Sequence, residues 1–285
     1  MIYVGWLIYR KEDAERNQAY IDWFIEECSK QSIKLHLVLR EEIGIGIQNN
    51  QLSLESKYPL PDFAVVRTIE QMLSSHLERL GVAVFNSSTV SMIANHKGMT
   101  HQVMGQLGIP MVDTTFYRKH DQVVKPPLPF PIVVKDTEGR GGKQVFLAND
   151  MKEWDEIKPH QWDSDWLVQS TNVQPGKDLR VFVIGKKVIA AVLRENHSDF
   201  RANFSLGGKA RLYELSVEEI KIVQTIIDAF DFDMVGIDFL FSLEGKLLFN
   251  EIEDIVGSRT LSQLSSINLL AQYVNHIRKT LEETN

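Results

Sequence analysis

Short apolar runs alternate with amphipathic stretches along most of this chain, a pattern that predicts an α/β protein. Ile2–Tyr9 is an apolar-rich run suited to a buried strand. Asn17–Ser29 sets Tyr20, Ile21, Phe24 and Ile25 at helical spacing, and Ile33–Leu39 is apolar again. Phe63–Thr68 and Gly81–Asn86 are two further strand-like runs, so roughly the first ninety residues predict an open α/β sheet. Gly44–Pro61 is polar and carries turn residues, and reads as a loop. His96–Gly108 reads as a helix with Val103, Met104 and Leu107 on one stripe, stopped by Gly108 and Pro110. Val123–Pro131, with Pro126, Pro127, Pro129 and Pro131, is a stiff lead-in to a strand at Ile132–Lys135. After a glycine-rich turn come a strand at Gln144–Leu147, a Trp-bearing polar stretch, and a strand at Trp166–Gln169. Leu179–Ile184 and Lys187–Arg194 form a hairpin across Gly185-Lys186. Val217–Phe230 is an amphipathic helix, Val235–Phe241 and Lys246–Ile252 a second hairpin, and Ser262–Leu281 a closing helix.

Composition narrows the classes. A length of 285 residues suits two units or one large α/β unit, and 44% apolar with 24% charged residues is an ordinary globular mixture. The net charge of −7 and a pI near 5.7 argue against a general nucleic-acid binder, which needs a basic face. Cys28 is the single cysteine, so neither an intrachain disulfide nor a cysteine zinc cluster can form. That fits a reducing compartment, and a cytoplasmic location is expected. The longest purely apolar run, Val188–Leu193, is far short of the ~20 residues a membrane helix needs. Met1–Tyr9 lacks a basic lead and runs into Arg10-Lys11-Glu12-Asp13, so it reads as a strand and not a secretory signal.

Common signatures fail. Gly44-Ile45-Gly46 begins a dinucleotide fingerprint, but Asn49 stands where its third glycine belongs. Gly142-Lys143, Gly208-Lys209 and Gly245-Lys246 are not followed by Ser or Thr, which excludes a Walker loop. Neither a G-x-S-x-G elbow nor H-E-x-x-H occurs. Cys28 lies beside Glu26 and Glu27, which disfavour a thiolate. His96 and His101 share a helix but not a face, and read as solvated.

The hairpin Val235–Glu253 carries more. A turn at Glu244-Gly245, or a four-residue loop Leu243–Lys246, sets Asp238 directly opposite Glu251, whereas a three- or five-residue loop would shift the pairing. Glu253 lies two residues on, on the same face. Ile237, Phe239, Phe241, Leu248 and Ile252 are assigned to one face and Leu240, Leu247 and Phe249 to the other. Three acids on one face of a buried hairpin are costly unless compensated, and a hard divalent cation compensates them. Pairing with Arg or Lys, or solvation at a sheet rim, are the alternatives. Upstream, Lys135 ends a strand and Gly139, Gly141 and Gly142 follow, a turn whose backbone can approach a phosphate. A solvated glycine-rich turn explains it equally well, but Lys97, Arg180, Arg194, Arg201 and Lys209 accompany it and want an anionic partner, surface salt bridges to the excess acids being the alternative.

These residues, in the order Lys97, Val133-Val134-Lys135, Gly139-x-x-Gly142, Val168-Gln169, Gly176-Lys177-Asp178-Leu179-Arg180-Val181-Phe182-Val183, Ala190–Arg194, Asp199-Phe200-Arg201-Ala202-Asn203-Phe204, Gly207-Gly208, Gly236-Ile237-Asp238 and Asn250-Glu251-Ile252-Glu253, resemble the ATP-grasp superfamily, and within it the RimK-like carboxylate–amine ligases. The resemblance covers Asn86 to the C-terminus. It implies an α/β (α+β) chain with the ATP-grasp fold behind an N-terminal Rossmann-like pre-ATP-grasp domain. The boundaries implied are residues 1–90 and 91–285, with a lid at about 110–170 and a C-terminal part at about 171–285. It implies ATP and Mg²⁺, or Mn²⁺, an acyl-phosphate intermediate, and as substrates a small-molecule or peptide carboxylate and an amine. Neither nucleic acid nor membrane is an expected partner, and oligomeric state stays open, homodimers being common among such proteins. Lys97 and Lys135 would contact phosphates under the Gly139–Gly142 loop, Lys135 also lying near adenine. Gln169, Ser170 and Thr171 would read adenine, and Asp178 would hold ribose or orient its neighbours. Arg180, Arg194, Arg201 and Asn203 would line the transfer site, Arg194 and Arg201 stabilising an oxyanion, and Asp238, Glu251 and Glu253 would hold the metal.

Three departures stand out. Ser170 replaces the usual Glu of the hinge, Glu253 replaces the usual Asn ligand, and Glu253–Arg259 replaces the usual Asn-x-x-Pro-Gly segment of the acceptor pocket. The alternatives within reach are phosphorylation of a carboxylate without ligation, or nucleotide sensing without turnover.

Overall fold

The computed structural model describes residues 2–139, 144–196, 199 and 208–284. The N-terminal part runs β1 (Tyr3–Tyr9), α1 (Lys11–Arg16), α2 (Gln18–Lys30), β2 (Ile33–Leu39), β3 (Gly44–Gln48), β4 (Gln51–Glu55), β5 (Phe63–Val66), α3 (Gln71–Arg79) and β6 (Ala83–Phe85). Strands β2-β1-β5-β6 make a parallel sheet. It is buried on both faces, which explains its near-continuous apolar runs. Gly44–Pro61 is corrected from loop to hairpin: β3 and β4 pair across Asn49-Asn50, both left-handed at φ 51 and 62. Asparagine tolerates that region, so the turn needs no glycine.

Next come α4 (Ser88–Ala94), α5 (Lys97–Gln106), β7 (Thr114–Tyr117), β8 (Ile132–Asp136), β9 (Val145–Ala148), α6 (Met151–Ile157) and β10 (Trp166–Ser170). The strands form an antiparallel sheet in the order β7-β10-β8-β9, closed over a small core of Ile132, Val134, Trp154, Trp166 and Val168.

Last come β11 (Val173–Ile184), β12 (Lys187–Glu195), β13 (Lys209–Tyr213), α7 (Val217–Asp228), β14 (Met234–Ser242), β15 (Leu247–Glu253), α8 (Arg259–Leu264) and α9 (Leu269–Thr284). The sheet order is β13-β12-β11-β14-β15, all antiparallel. Ser216 caps α7 in a reciprocal box with Glu219, and Val223, Ile226 and Ile227 bury its apolar stripe. The predicted closing helix is two helices. Residues 265–268 separate them, and Asn268 turns its Oδ1 to the amide of Ala271.

The two faces of this sheet belong to different cores. Leu179, Val181, Val183, Ile237, Phe239 and Phe249 pack with α7. Phe182, Ile184 and Val192 pack through Tyr273, Val274 and Ile277 of α9 onto Phe63, Val65 and Phe85 of the parallel sheet. Asn86, buried, joins the two sheets: its Nδ2 donates to the carbonyls of Met234 (2.9 Å) and Asp254 (3.2 Å), and its Oδ1 accepts from the amides of Asp233 (2.7 Å) and Met234 (3.2 Å).

Candidate active site

The site lies where the two antiparallel sheets meet. Only Thr171 and Asn172 link β10 to β11, so the chain crosses between the sheets at the predicted hinge. Gln169 ends inside, buried, and donates to Thr114 Oγ1 at 3.0 Å. The amide of Ser170 donates to the Asp113 carbonyl at 3.0 Å, and Thr171 Oγ1 to the Pro131 carbonyl at 2.9 Å.

Asp238 does face Glu251, but not through the predicted turn. The loop is Leu243–Gly245, three residues, with Ser242 paired to Lys246 and Gly245 left-handed at φ 84. That loop alone would shift the register. A bulge at Asn250 shifts it back, so Phe239 pairs with Phe249 while Asp238 pairs with Glu251. The bulge also corrects the predicted faces. Leu247 and Phe249 join Ile237, Phe239, Phe241 and Ile252 in the core, and Leu248 does not.

The carboxylates of Asp238, Glu251 and Glu253 each offer an oxygen, all within 4.8 Å of one another. Two arginines compensate part of this charge, as the alternative of pairing with Arg allowed. Arg180 grips Asp238 in a two-pronged pair, Nε to Oδ1 at 2.7 Å and Nη2 to Oδ2 at 2.6 Å. The same Nη2 lies 2.8 Å from Glu253 Oε1. Arg194 Nη2 reaches Asp238 Oδ2 at 2.9 Å, while its Nε and Nη2 hold Asp178 at 2.6 and 2.8 Å. Asp178 thus orients Arg194. Burial opposes ionisation of Asp238, but Arg180 and Arg194 outweigh it and hold the carboxyl down at about 2.

The donor set still fits a hard cation. Each carboxylate oxygen has two lone pairs, and among the described residues Asp238 Oδ1 accepts from Arg180 alone. Among the described residues Glu251 forms its ion pair with Lys97 Nζ, at 3.6 Å, and stays partly exposed. One open oxygen from each of three carboxylates suits Mg²⁺.

The lysines converge on the same place. Lys97, first residue of α5, donates Nζ to the Gly139 carbonyl. Lys135, on β8 and buried, donates to Asn250 Oδ1 at 3.0 Å. Burial pushes the Lys135 ammonium down to about 8, Glu251 resisting and Lys97 assisting. Four acids (Asp178, Asp238, Glu251, Glu253) therefore face four bases (Lys97, Lys135, Arg180, Arg194), a balanced cluster ready to take a metal and a polyphosphate together. Gly142, Arg201 and Asn203 lie outside the described residues.

His101 corrects an expectation. It is buried, not solvated. Its Nδ1 donates to the Lys97 carbonyl at 2.7 Å, which leaves Nε2 to accept from Gln169 Nε2 at 3.1 Å. Burial, helped by Lys135, lowers it to about 4, so the ring is neutral. The spacing of Lys97 and His101, one helical turn, is the signal that comparing His96 with His101 passed over. Cys28 is buried, and its thiol is pushed up to about 12 by that burial and by Glu27, in line with an inert side chain. Among the described residues no helix is long and apolar enough to cross a membrane.

Solved structures share this architecture. A VanG D-Ala:D-Ser ligase from Enterococcus faecalis gives a TM-score of 0.76 at 14% identity, covering 99% of this chain and 100% of that one. A RimK domain ATP-grasp protein from Sphaerobacter thermophilus gives 0.71 at 16% identity, covering 96% and 98%. The fold is thus that of the ATP-grasp enzymes. In sequence, the RimK-like ATP-grasp domain matches residues 94–277. N-acetylaspartylglutamate synthase A of Homo sapiens is 30% identical over 267 residues, 86% of this chain and 68% of that protein. A probable alpha-L-glutamate ligase of Legionella pneumophila (strain Corby) is 29% identical over 268 residues, 89% and 88%. The chain belongs to the RimK-like ATP-grasp family, and it is an ATP-dependent carboxylate–amine ligase.

Proposed function

We propose that ATP binds between the two antiparallel sheets and that the γ-phosphoryl group passes to a substrate carboxylate beside Asp238, Glu251 and Glu253. The carboxylate oxygen attacks phosphorus and ADP leaves. An amine nitrogen then attacks the acyl carbon, the C–N bond forms, and phosphate departs as the nitrogen gives up a proton. Lys97 and Lys135 hold phosphate oxygens, and Gly139 with Gly142 shapes the loop above them. Backbone at Gln169, Ser170 and Thr171 reads adenine. Arg180 and Arg194, with Arg201 and Asn203, line the transfer site, the arginines stabilising negative charge on the acyl oxygen. Asp178 keeps Arg194 in place. Asp238, Glu251 and Glu253 would hold Mg²⁺, or Mn²⁺, which when bound neutralises charge on the phosphates.

The observation that carries this reading is the meeting of three carboxylates with open oxygens and two lysines at one point. The names of the relatives suggest an amino acid of the glutamate class as the amine substrate. The same reading divides the chain near residue 90 and places it in the cytoplasm. Its test is Glu251→Gln. Its ion pair to Lys97 is long, at 3.6 Å, and partly exposed, so the fold should be retained while ADP release falls by at least ~100-fold, the order expected when one group stabilising the transferring phosphoryl is lost. ADP release at the wild-type rate would overturn the assignment.

A further inference from the structure

A cleft of about 1030 Å³ opens beside the acidic cluster, at the carboxyl edge of the parallel sheet. That edge is where open parallel sheets receive ligands. Arg10 follows β1, and Arg67 and Thr68 follow β5, and all three line the cleft. A smaller cavity lined by Lys97, Glu251 and Glu253 shares Asn95, Glu138 and Ile255 with it, so the cleft runs on into the proposed transfer site.

Two features of the cleft wall keep unused hydrogen-bonding capacity among the described residues. Arg67 Nε donates to the Tyr9 hydroxyl at 3.2 Å, Nη1 and Nη2 donate to the Val256 carbonyl at 3.3 and 3.2 Å, and the guanidinium sits 5.2 Å from the Tyr20 ring centre. All of these partners are uncharged, and among the described residues Arg67 makes no ion pair. Three of its five N–H donors are used, which leaves two. Thr68 is 5% exposed, and among the described residues its buried hydroxyl has no hydrogen-bond partner. Of the acids lining the cleft, Glu70 pairs with Arg40 and Asp13 with Arg16, while Glu138 lies on the part shared with the smaller cavity. Arg67 thus has no carboxylate partner among the described residues.

We infer that the cleft binds a non-reacting carboxylate of a substrate, held by the free N–H groups of Arg67 and the Thr68 hydroxyl. A planar carboxylate matches the guanidinium fork, and its oxygens accept from the hydroxyl as well. Ile69, Met72, Met92 and Met99 give the wall around it an apolar surface for the carbon skeleton. The substrate would thus be anchored by one carboxylate while its other functional group reaches the acidic cluster. This rests on the ligase reading above. The anchored molecule is either the acid that is phosphorylated or the amino acid that supplies the amine.

The test uses the full chain and three variants, Arg67→Gln, Arg67→Lys and Thr68→Val. L-glutamate, N-acetyl-L-aspartate and citrate are the probes, with L-glutamine as the counterpart lacking the side-chain carboxylate. Calorimetry without nucleotide measures binding, and ADP formation gives KM and kcat for each probe and for ATP. We expect Arg67→Gln to raise the KM and Kd of one probe class by about 10- to 100-fold, the range for losing hydrogen bonds to a charged group. The KM for ATP should stay within about twofold, and Arg67→Lys should recover part of the loss, because its charge lacks the fork. Whether glutamate or the acids respond identifies which substrate is anchored. Should Arg67→Gln not fold, Thr68→Val, close to isosteric, carries the test with a smaller rise. Unchanged KM and Kd in Thr68→Val and the folded Arg67 variants would overturn the inference, and so would failure of every probe to bind the wild-type chain. Arg67-dependent binding without ADP formation would instead overturn the ligase reading and leave the anchor standing.

Discussion

Asp238 answers to two opposed forces. Burial disfavours its charge, and Arg180 and Arg194 impose it. Its folded pKa, about 2, lies below the ordinary value of 3.8, so the pair contributes stability that is present above pH 3.8 and is lost as pH falls toward 2. Asp238→Asn leaves two buried arginines without their shared anion. It should abolish ADP release and also cost about 3–5 kcal/mol, the range for breaking a buried pair. Urea unfolding of this variant beside Glu251→Gln separates the two effects: only the Asp238 variant should lose stability. Lys135 gives a second residue-scale prediction. With its ammonium near pKa 8, its affinity for phosphate should weaken as pH rises past 8, so the KM for ATP climbs there toward about tenfold per pH unit. Lys135→Arg stays charged and should move that break above pH 10. A break unmoved by the substitution would assign it to another group. The acids and lysines of this site were legible in the sequence because charge in an apolar run is conspicuous. His101 was not, because its partner Gln169 is 68 residues away and lies on another sheet.

At the scale of the element, the bulge at Asn250 decides which side chains meet. A three-residue loop and one extra residue in β15 cancel, and Glu251 faces Asp238 only because both occur. Deleting Asn250 should remove the bulge, leave Glu251 opposite Asp238 on a regular ladder, and take from Lys135 its Oδ1 acceptor. Calorimetric melting should stay cooperative, and a lost transition would show that the bulge does more than set the register. The sequence places both strands correctly but cannot count a bulge, since period-two alternation reads the same on either side of it. The β3–β4 hairpin was hidden for a similar reason: its Asn49-Asn50 turn lacks the glycine that usually announces one.

Across the whole molecule, residues 1–90 do not keep their apolar surface to themselves. Helix α9 fills the space between the parallel sheet and β11–β12, so one core is shared by the two ends of the chain. Asn86 closes the same junction with four hydrogen bonds, three of them buried. Asn86→Ala should destabilise the protein by about 1–3 kcal/mol, because the buried amides and carbonyls lose their partner. Differential scanning calorimetry should show one transition moved down, not a split into two. A split would mean that the two ends fold independently.

The order and type of the buried strands, the convergence of lysine, arginine and carboxylate on one nucleotide-binding pattern, and the family itself were determined by the sequence alone. They rest on local periodicity and on residue chemistry, which a linear chain displays. The pairing of Asp238 with Arg180, the burial of His101, the bulge that sets Glu251, and the cleft beneath Arg67 and Thr68 were decided only by tertiary structure. Each depends on distances between segments far apart in the chain, and those distances exist only once the sheets have packed.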